Sequence, residues 1–243
     1  MCFSIQAASD LKRVSSTMNA DFDRLSYNQF KAMQELESKL GADEIKKQLN
    51  LKRKPSGSYF KGPDELGRIY PNYFTSVITA QEKKRLISPM RYRIRPNGSS
   101  EEIPTKFNVF NARVDSLEKR KTWSPLFMRN HGIVCFDAFY EWVLKDNKKT
   151  LIKFKPTNNE FMWAPCLWDE WQSTDGSVKF KSFAIITTDP PNEVEIMGHD
   201  RCPIFLNHEY IDDWLNPRDL NPSDAYEILA AQENEKFSYE WPS

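Results

Sequence analysis

The sequence contains no Cys-x-x-Cys pair. Its four cysteines, Cys2, Cys135, Cys166 and Cys202, stand far apart. That spacing suits neither a structural zinc site nor a disulfide framework, so a reduced intracellular protein without a metal or cofactor is expected. No apolar run approaches the ~18 residues that a membrane span needs. The N-terminus lacks the continuous apolar region of a signal peptide. These two absences predict a cytoplasmic protein with no membrane partner. Internal repeats and low-complexity tracts are also missing, which excludes solenoid and array architectures. Net charge is missing too: 34 Lys+Arg balance 34 Asp+Glu. No global field draws the chain to nucleic acid, so any DNA contact must come from a local patch.

What is present is an ordinary globular composition, 40% hydrophobic and 28% charged over 243 residues, long enough for a substantial core. Phe30, Met33 and Leu40 fall at helical spacing and predict a helix over 27–50, with Gly41 as a plausible stop. The Pro- and Gly-punctuated stretch over 53–64 reads as a loop. From about residue 70 to 206 the chain breaks into short β-rich runs: 74–79, 90–95, 107–114, 131–143, 150–155, 161–168 and 181–188. Turn-like segments such as "RPNGSS" and "STDGS" separate them, with few helices between. This predicts an α+β fold around one curved, barrel-like, mostly antiparallel sheet. Two helices are expected after it, over 208–215 and 223–232.

Three stretches carry groups capable of chemistry. In "HGIVCFDAFYEWV" (131–143), strand alternation places Ile133, Cys135, Phe139, Glu141 and Val143 on one face, Asp137 among them. Burial on such a stripe would raise the Glu141 pKa toward neutrality, as a general acid or base requires. A bulge in the strand, or a structural arginine partner, would account for Glu141 without chemistry. In "GHDRCPIFL" (198–206), His199 stands at a loop–strand junction and is either a proton donor and acceptor or part of a solvated turn. In "FNARVDS" (110–116), Asn111 and Arg113 share a face and suit either a phosphate or the edge of a sheet. "RYRIRP" (91–96) adds Arg91, Arg93 and Arg95 at period two. They predict a basic ridge, able to track a phosphate backbone or simply to face solvent. The seven tryptophans offer stacking platforms, although large rings of this kind mostly build cores.

Along the chain these pieces follow a fixed order: Met1-Cys2, "NAR" with Val114 and Asp115, "CFDAFYEW", "AIITT" and "GHDRCPIFL". In that order the sequence resembles the SRAP family, the SOS-response-associated peptidases, also called abasic-site processing proteins. The family's marks are an N-terminal Met-Cys, an N-A-R-x-E-like strand, a C-x-x-x-x-[FY]-E-W strand and an H-x-R-x-P turn. The resemblance spans residues 2–6 and 68–240. It leaves 7–67 as a helical elaboration within a single domain, 1–243.

The resemblance implies a function in the DNA damage or SOS response: binding single-stranded DNA at abasic sites and forming a covalent DNA–protein crosslink. It implies a monomer that associates with the nucleoid when acting on DNA. With Met1 removed, Cys2 would offer an α-amine, titrating near ~8 when unperturbed, and a thiol. The amine forms a Schiff base with the aldehyde of an opened abasic sugar, and the thiol closes a thiazolidine, which is lyase-like chemistry. Carried over by position, Cys2 is the nucleophile, Glu141 moves protons around its amine, His199 assists ring opening, and Asn111 lines the site. Arg113 and Thr187 match DNA contacts, and Asn72 in "YPNYFTS" matches a family asparagine. Two departures concern DNA contacts. Phe3 and Ser4 replace the usual G-R after Cys2, and "RYRIRPNGSS" replaces a W-G-L-I-P-x-W stretch. Two other functions fit parts of the pattern: a Cys–His peptidase or self-processing hydrolase, and a non-catalytic single-strand-binding module.

Overall fold

Long-range strand pairing organises the chain. The computed structural model describes residues 4–52, 55, 57–82, 84–157, 161–231 and 236–242. Among them the strands are β1 (Ser4–Ala7), β2 (Ala20–Phe22), β3 (Arg68–Ile69), β4 (Phe74–Gln81), β5 (Lys84–Tyr92), β6 (Asn111–Arg113), β7 (His131–Lys145), β8 (Lys148–Pro156), β9 (Met162–Gln172), β10 (Lys179–Thr188), β11 (Cys202–Pro203) and β12 (Phe237–Glu240). The helices are α1 (Leu11–Met18), α2 (Arg24–Gln48), α3 (Asn192–Glu195), α4 (Ile211–Leu215) and α5 (Pro222–Ala230). None of the described helices is long and apolar enough to cross a membrane.

Five strands close on themselves in the order β7–β4–β5–β10–β9–β7. Every junction is antiparallel except β5–β10, which is parallel. The expected α+β architecture with a barrel-like, mostly antiparallel core is the one observed. Strand alternation explains how so small a barrel is filled. Val77, Met90, Val134, Ala164 and Phe183, one from each barrel strand, belong to one buried cluster. Their neighbours Ile78, Ile87, Ile133, Trp163 and Ala184 face the other way. There they pack under Val14 and Met18 of α1, Trp214 of α4 and Ile228 of α5.

The segment 7–67 is helical over α1 and α2, but it also supplies β2, which pairs in parallel with β5. Asp10 and Asp23 cap the two helices by accepting backbone N–H bonds from Arg13 and Ser26. Gly41 breaks α2 (φ 74°, ψ 172°) without ending it, and the helix continues to Gln48. Met33 and Ile45 of α2 pack with Phe60, Phe74 and Phe180 into a third cluster on the barrel wall. Of the loop expected over 53–64, residues 53, 54 and 56 lie outside the described residues, as does Gln232 of the last expected helix.

Two β-runs differ from expectation, the first shifted toward the N-terminus as β5 (Lys84–Tyr92) and the second shortened. β5 stops at Tyr92, because Arg93 and Arg95 turn away to bond carbonyls elsewhere in the chain. The run expected over 107–114 is strand only at Asn111–Arg113. Its start is taken by a turn in which Asn108 Oδ1 accepts the N–H groups of Phe110 and Asn111 (3.1 and 3.0 Å).

Candidate active site

β7 carries Glu141, and a bulge sets where it points. β1 pairs with β7 as Gln6↔Ala138 but Ala7↔Phe136, so Asp137 is an extra residue on β7. Before it, Val134 and Phe136 face the barrel interior; after it, Phe139 and Val143 do. Phe136 and Phe139 both pack on Phe205, at 5.6 and 6.1 Å between ring centroids. The uninterrupted alternation expected of this strand, with Cys135 and Glu141 on one face, is therefore corrected. The bulge reverses the parity between them, and Cys135 packs with the outer cluster.

Re-aimed in this way, Glu141 meets His199. The carboxylate Oε2 lies 2.8 Å from His199 Nε2. Glu141 is 1% exposed and His199 9%. His199 Nδ1 donates to the carbonyl of Arg201 at 2.8 Å, which fixes the ring and directs Nε2 at the carboxyl. Burial pushes the Glu141 pKa up to about 7, opposed by the hydrogen bond with His199. The pair thus shares a proton in a dry site and can give or take it near neutral pH.

β10 gathers the other groups. At its C-terminal end Thr187 lies in register with Arg113 of β6 on one side and with Pro203 of β11 on the other. Asn111 and Arg113 therefore share this end of the barrel with the His199 turn. Asn111 is buried and accepts a hydrogen bond from the Tyr92 hydroxyl at its Oδ1 (2.9 Å). Arg113 is half-exposed and pairs with Asp115 at 2.7 Å. Cys2 lies outside the described residues. β1 begins at Ser4, opposite Tyr140, the residue before Glu141.

The solvent-facing ridge expected of Arg91, Arg93 and Arg95 is not formed. All three are buried, at 3, 4 and 0% exposure. Arg91 binds Glu102 (2.8 Å) and Asn72 Oδ1 (2.6 Å), and lies over the Tyr59 ring. Arg93 donates to the carbonyls of Ile103 (2.7 Å) and Pro104 (3.2 Å). Arg95 donates to Leu49 O (2.6 Å) and lies over the Trp171 ring. Burial alone would raise the Glu102 pKa, but Arg91, the Tyr59 hydroxyl and Arg95 outweigh it and hold the carboxyl below its usual range. The arginines thus brace loops against the barrel, and Asn72 belongs to this brace.

Two contributors to the site escape a reading of the sequence. Tyr92, hidden among the arginines, orients Asn111. Cys202 stands close enough to Glu141 for the carboxylate to add to the effect of burial in raising its thiol pKa. Only the alternation itself, which sets Tyr92 on the face opposite the arginines, could have flagged the first.

The profile of the family described as SOS response associated peptidase (SRAP) matches residues 26–241. The chain belongs to the SRAP family. It is similar to the abasic site processing protein YoqW of Bacillus subtilis, 27% identical over 191 residues that cover 77% of this chain and 81% of YoqW. It is also similar to the abasic site processing protein HMCES of Gallus gallus, 24% identical over 201 residues, covering 74% of this chain and 60% of HMCES. A crystal structure of a protein from Bordetella bronchiseptica shares the fold of this SRAP protein, with a TM-score of 0.69 at 18% identity and both chains fully covered. The SRAP match takes in most of α2, so much of the 7–67 segment falls within the family's own span.

Proposed function

We propose that this SRAP protein captures abasic sites in single-stranded DNA through Cys2, once Met1 has been removed, and holds them as a covalent crosslink. The observation that carries the reading is the buried Glu141–His199 pair, 2.8 Å apart, beside the entry of β1 into the sheet. Ser4, two positions after Cys2 in the sequence, pairs with Tyr140, the residue before Glu141. The relatives' name, abasic site processing protein, supplies the substrate class.

The abasic sugar opens to an aldehyde, and the Cys2 amine adds to its carbon. Glu141 protonates the hydroxyl of the resulting carbinolamine, water leaves, and the nitrogen's proton returns to the Glu141 carboxylate, so that an imine remains. The Cys2 sulfur then bonds to the imine carbon while the thiol proton passes to the imine nitrogen, closing the thiazolidine. A carboxyl titrating at about 7 serves both the protonation and its reversal. His199, within hydrogen-bond distance of that carboxyl, relays the proton and assists ring opening. Asn111, fixed by Tyr92, lines the site, and Arg113 meets the DNA backbone; Thr187, only 2% exposed, is left out of these contacts. Asn72, Arg91, Arg93 and Arg95 are left out of the DNA contacts, because their polar groups are engaged in the loop brace.

The test is a denaturing gel of Met1-processed protein with a single-stranded oligonucleotide carrying one abasic site. A shifted band is expected from the wild type and none from Cys2→Ala. A band that survives Cys2→Ala unchanged would remove Cys2 from the chemistry.

A further inference from the structure

β1 is a short strand, and β3 beside it is shorter still, pairing as Ile5↔Ile69 and Gln6↔Arg68. Side chains on one face add to this pairing. Alternation sets Ser4 and Gln6 of β1, Arg68 of β3 and Tyr140 of β7 together, on the face opposite Phe139 and Glu141. There Arg68 Nε donates to Ser4 Oγ (2.8 Å), and the Tyr140 hydroxyl donates to Gln6 Oε1 (2.9 Å). The Arg68 guanidinium lies over two rings, 3.9 Å from the Tyr140 centroid and 4.8 Å from that of Tyr70.

Arg68 is itself fixed by the turn before it. Its N–H donates to Asp64 Oδ1 (2.8 Å), and its carbonyl accepts the N–H of Asp64 (3.0 Å). Gly67 makes the turn at φ 76°, and its carbonyl accepts the N–H of Ala7 (2.9 Å). A Cβ on Gly67 would meet Gln6 Nε2 at 2.8 Å, so this approach of the turn to β1 needs glycine. Arg68 thereby joins three strands: its backbone belongs to β3, its Nε holds the first residue of β1, and its plane covers a ring of β7. Ser4 is fully buried, where a hydroxyl needs hydrogen bonds, and Arg68 supplies one. A guanidinium can stack and donate from its edge at once, which the ammonium of a lysine cannot.

We infer that Arg68 is a positioning residue for the proposed crosslinking: by clamping Ser4 against β7 it fixes where the chain leaves the sheet toward Cys2, and so how Cys2 is presented to the Glu141–His199 pair. Arg68 acts through β1, since it lies across the sheet from Glu141. The inference rests on the Cys2 reading for its effect on rate, whereas the clamp on β1 is measurable without DNA. Misplacing a reacting group by about 1 Å can cost ~10²-fold in rate. Loss of the clamp therefore shows in the chemical step and not in the affinity for DNA.

The experiment compares the Met1-processed full chain with its Arg68→Met, Arg68→Lys and Ser4→Ala variants. In single-turnover crosslinking to an abasic oligonucleotide, Arg68→Met is expected to lower the maximal rate roughly 10–100-fold. The half-saturating DNA concentration and the salt slope of binding stay as in wild type. Arg68→Lys keeps the charge but not the stacked donor, and falls to a similar rate. Ser4→Ala lowers the rate as well, and the double variant is no slower than Arg68→Met alone, because both remove one contact. Hydrogen exchange of the free protein quickens in β1 of Arg68→Met and is unchanged in β9 and β10. A wild-type maximal rate in Arg68→Met, or full rescue by Arg68→Lys, would overturn the inference. So would a raised half-saturation with a smaller salt slope, the mark of a phosphate contact, or exchange quickened throughout the barrel, the mark of a general structural role. Absence of any crosslink from wild type would instead overturn the Cys2 chemistry. Exchange in β1 would then decide the clamp, and equal rates in wild type and Arg68→Met would reject it.

Discussion

Two buried histidines serve opposite ends, and β7 is involved in both. His131 opens the strand; Glu141, ten residues on, holds His199. His131 is 2% exposed and stacks on Trp214, with ring centroids 3.7 Å apart and an interplanar angle of 13°. Its Nδ1 donates to Trp214 O (2.8 Å), and its Nε2 accepts the N–H of Met128 (3.3 Å). Both ring nitrogens are satisfied by backbone, and burial pushes its pKa down to about 4, opposed by the bond to Trp214 O. It is a neutral pin between β7 and α4. Among the described residues, His199 is oriented by backbone at Nδ1, while Nε2 meets a carboxyl. The partner at the second nitrogen, more than burial, separates a structural histidine from one able to move a proton.

Substitution of each partner is the sharpest way to break this contrast. Glu141→Gln or His199→Ala is expected to slow crosslinking ~10²–10⁴-fold, while half-saturation by DNA stays within a few-fold. Loss of DNA binding and rate together would make the pair structural. His131→Ala should do the reverse. Losing the stack and two hydrogen bonds costs about 2–4 kcal/mol of stability, seen in urea unfolding, with an unchanged crosslinking rate per folded molecule.

The two sites also predict opposite pH dependences. Glu141 titrates near 7 when folded, against a reference of 4.5. The folded state therefore holds the extra proton between these values, and stability is lost as pH rises through that window. Glu141→Gln should remove a loss on the order of 3 kcal/mol between pH 4 and pH 8. His131 titrates near 4 when folded, against 6.5. The unfolded state then holds the extra proton, so stability is lost as pH falls from 6.5 toward 4. His131→Gln should flatten that acid limb by a similar or smaller amount. Melting curves across pH that leave either limb unchanged in its variant would refute the assignment. The smallest effect is expected from Tyr92→Phe, which frees Asn111 Oδ1 and should slow crosslinking by less than tenfold, since one neutral hydrogen bond is worth about 1 kcal/mol.

The sheet was legible because apolar runs and turn residues alternate in sequence, and the barrel strands are long enough to show it. β1, β2, β3, β11 and β12 were not, since two to four residues carry no period. Glu141 stood out as a carboxylate on an apolar strand, yet the side it faces depends on one inserted residue, Asp137, and no alternation rule announces a bulge. The arginines misled in a different way. Period two places side chains on one face of a strand but is silent on what covers that face. Here Glu102, Tyr59 and loop carbonyls do so, none of them part of β5. His131 gave no signal, because its role comes from α4, more than 80 residues downstream.

The pairing of β1 with β7 has a consequence in time. Ser4 is made before its partner Tyr140, which follows 136 residues later. At ~5–20 residues per second this leaves roughly 7–30 s in which β1 has no strand to join. The proposed chemistry needs Met1 gone, and its trimming is expected to fall in this interval. Nascent chains arrested ahead of residue 131 are expected to have lost Met1 already, and mass spectrometry of such chains would show its retention if they have not. On this view the slowness of a long-range sheet serves as a maturation clock, keeping the N-terminus open to processing until there is a fold to arm.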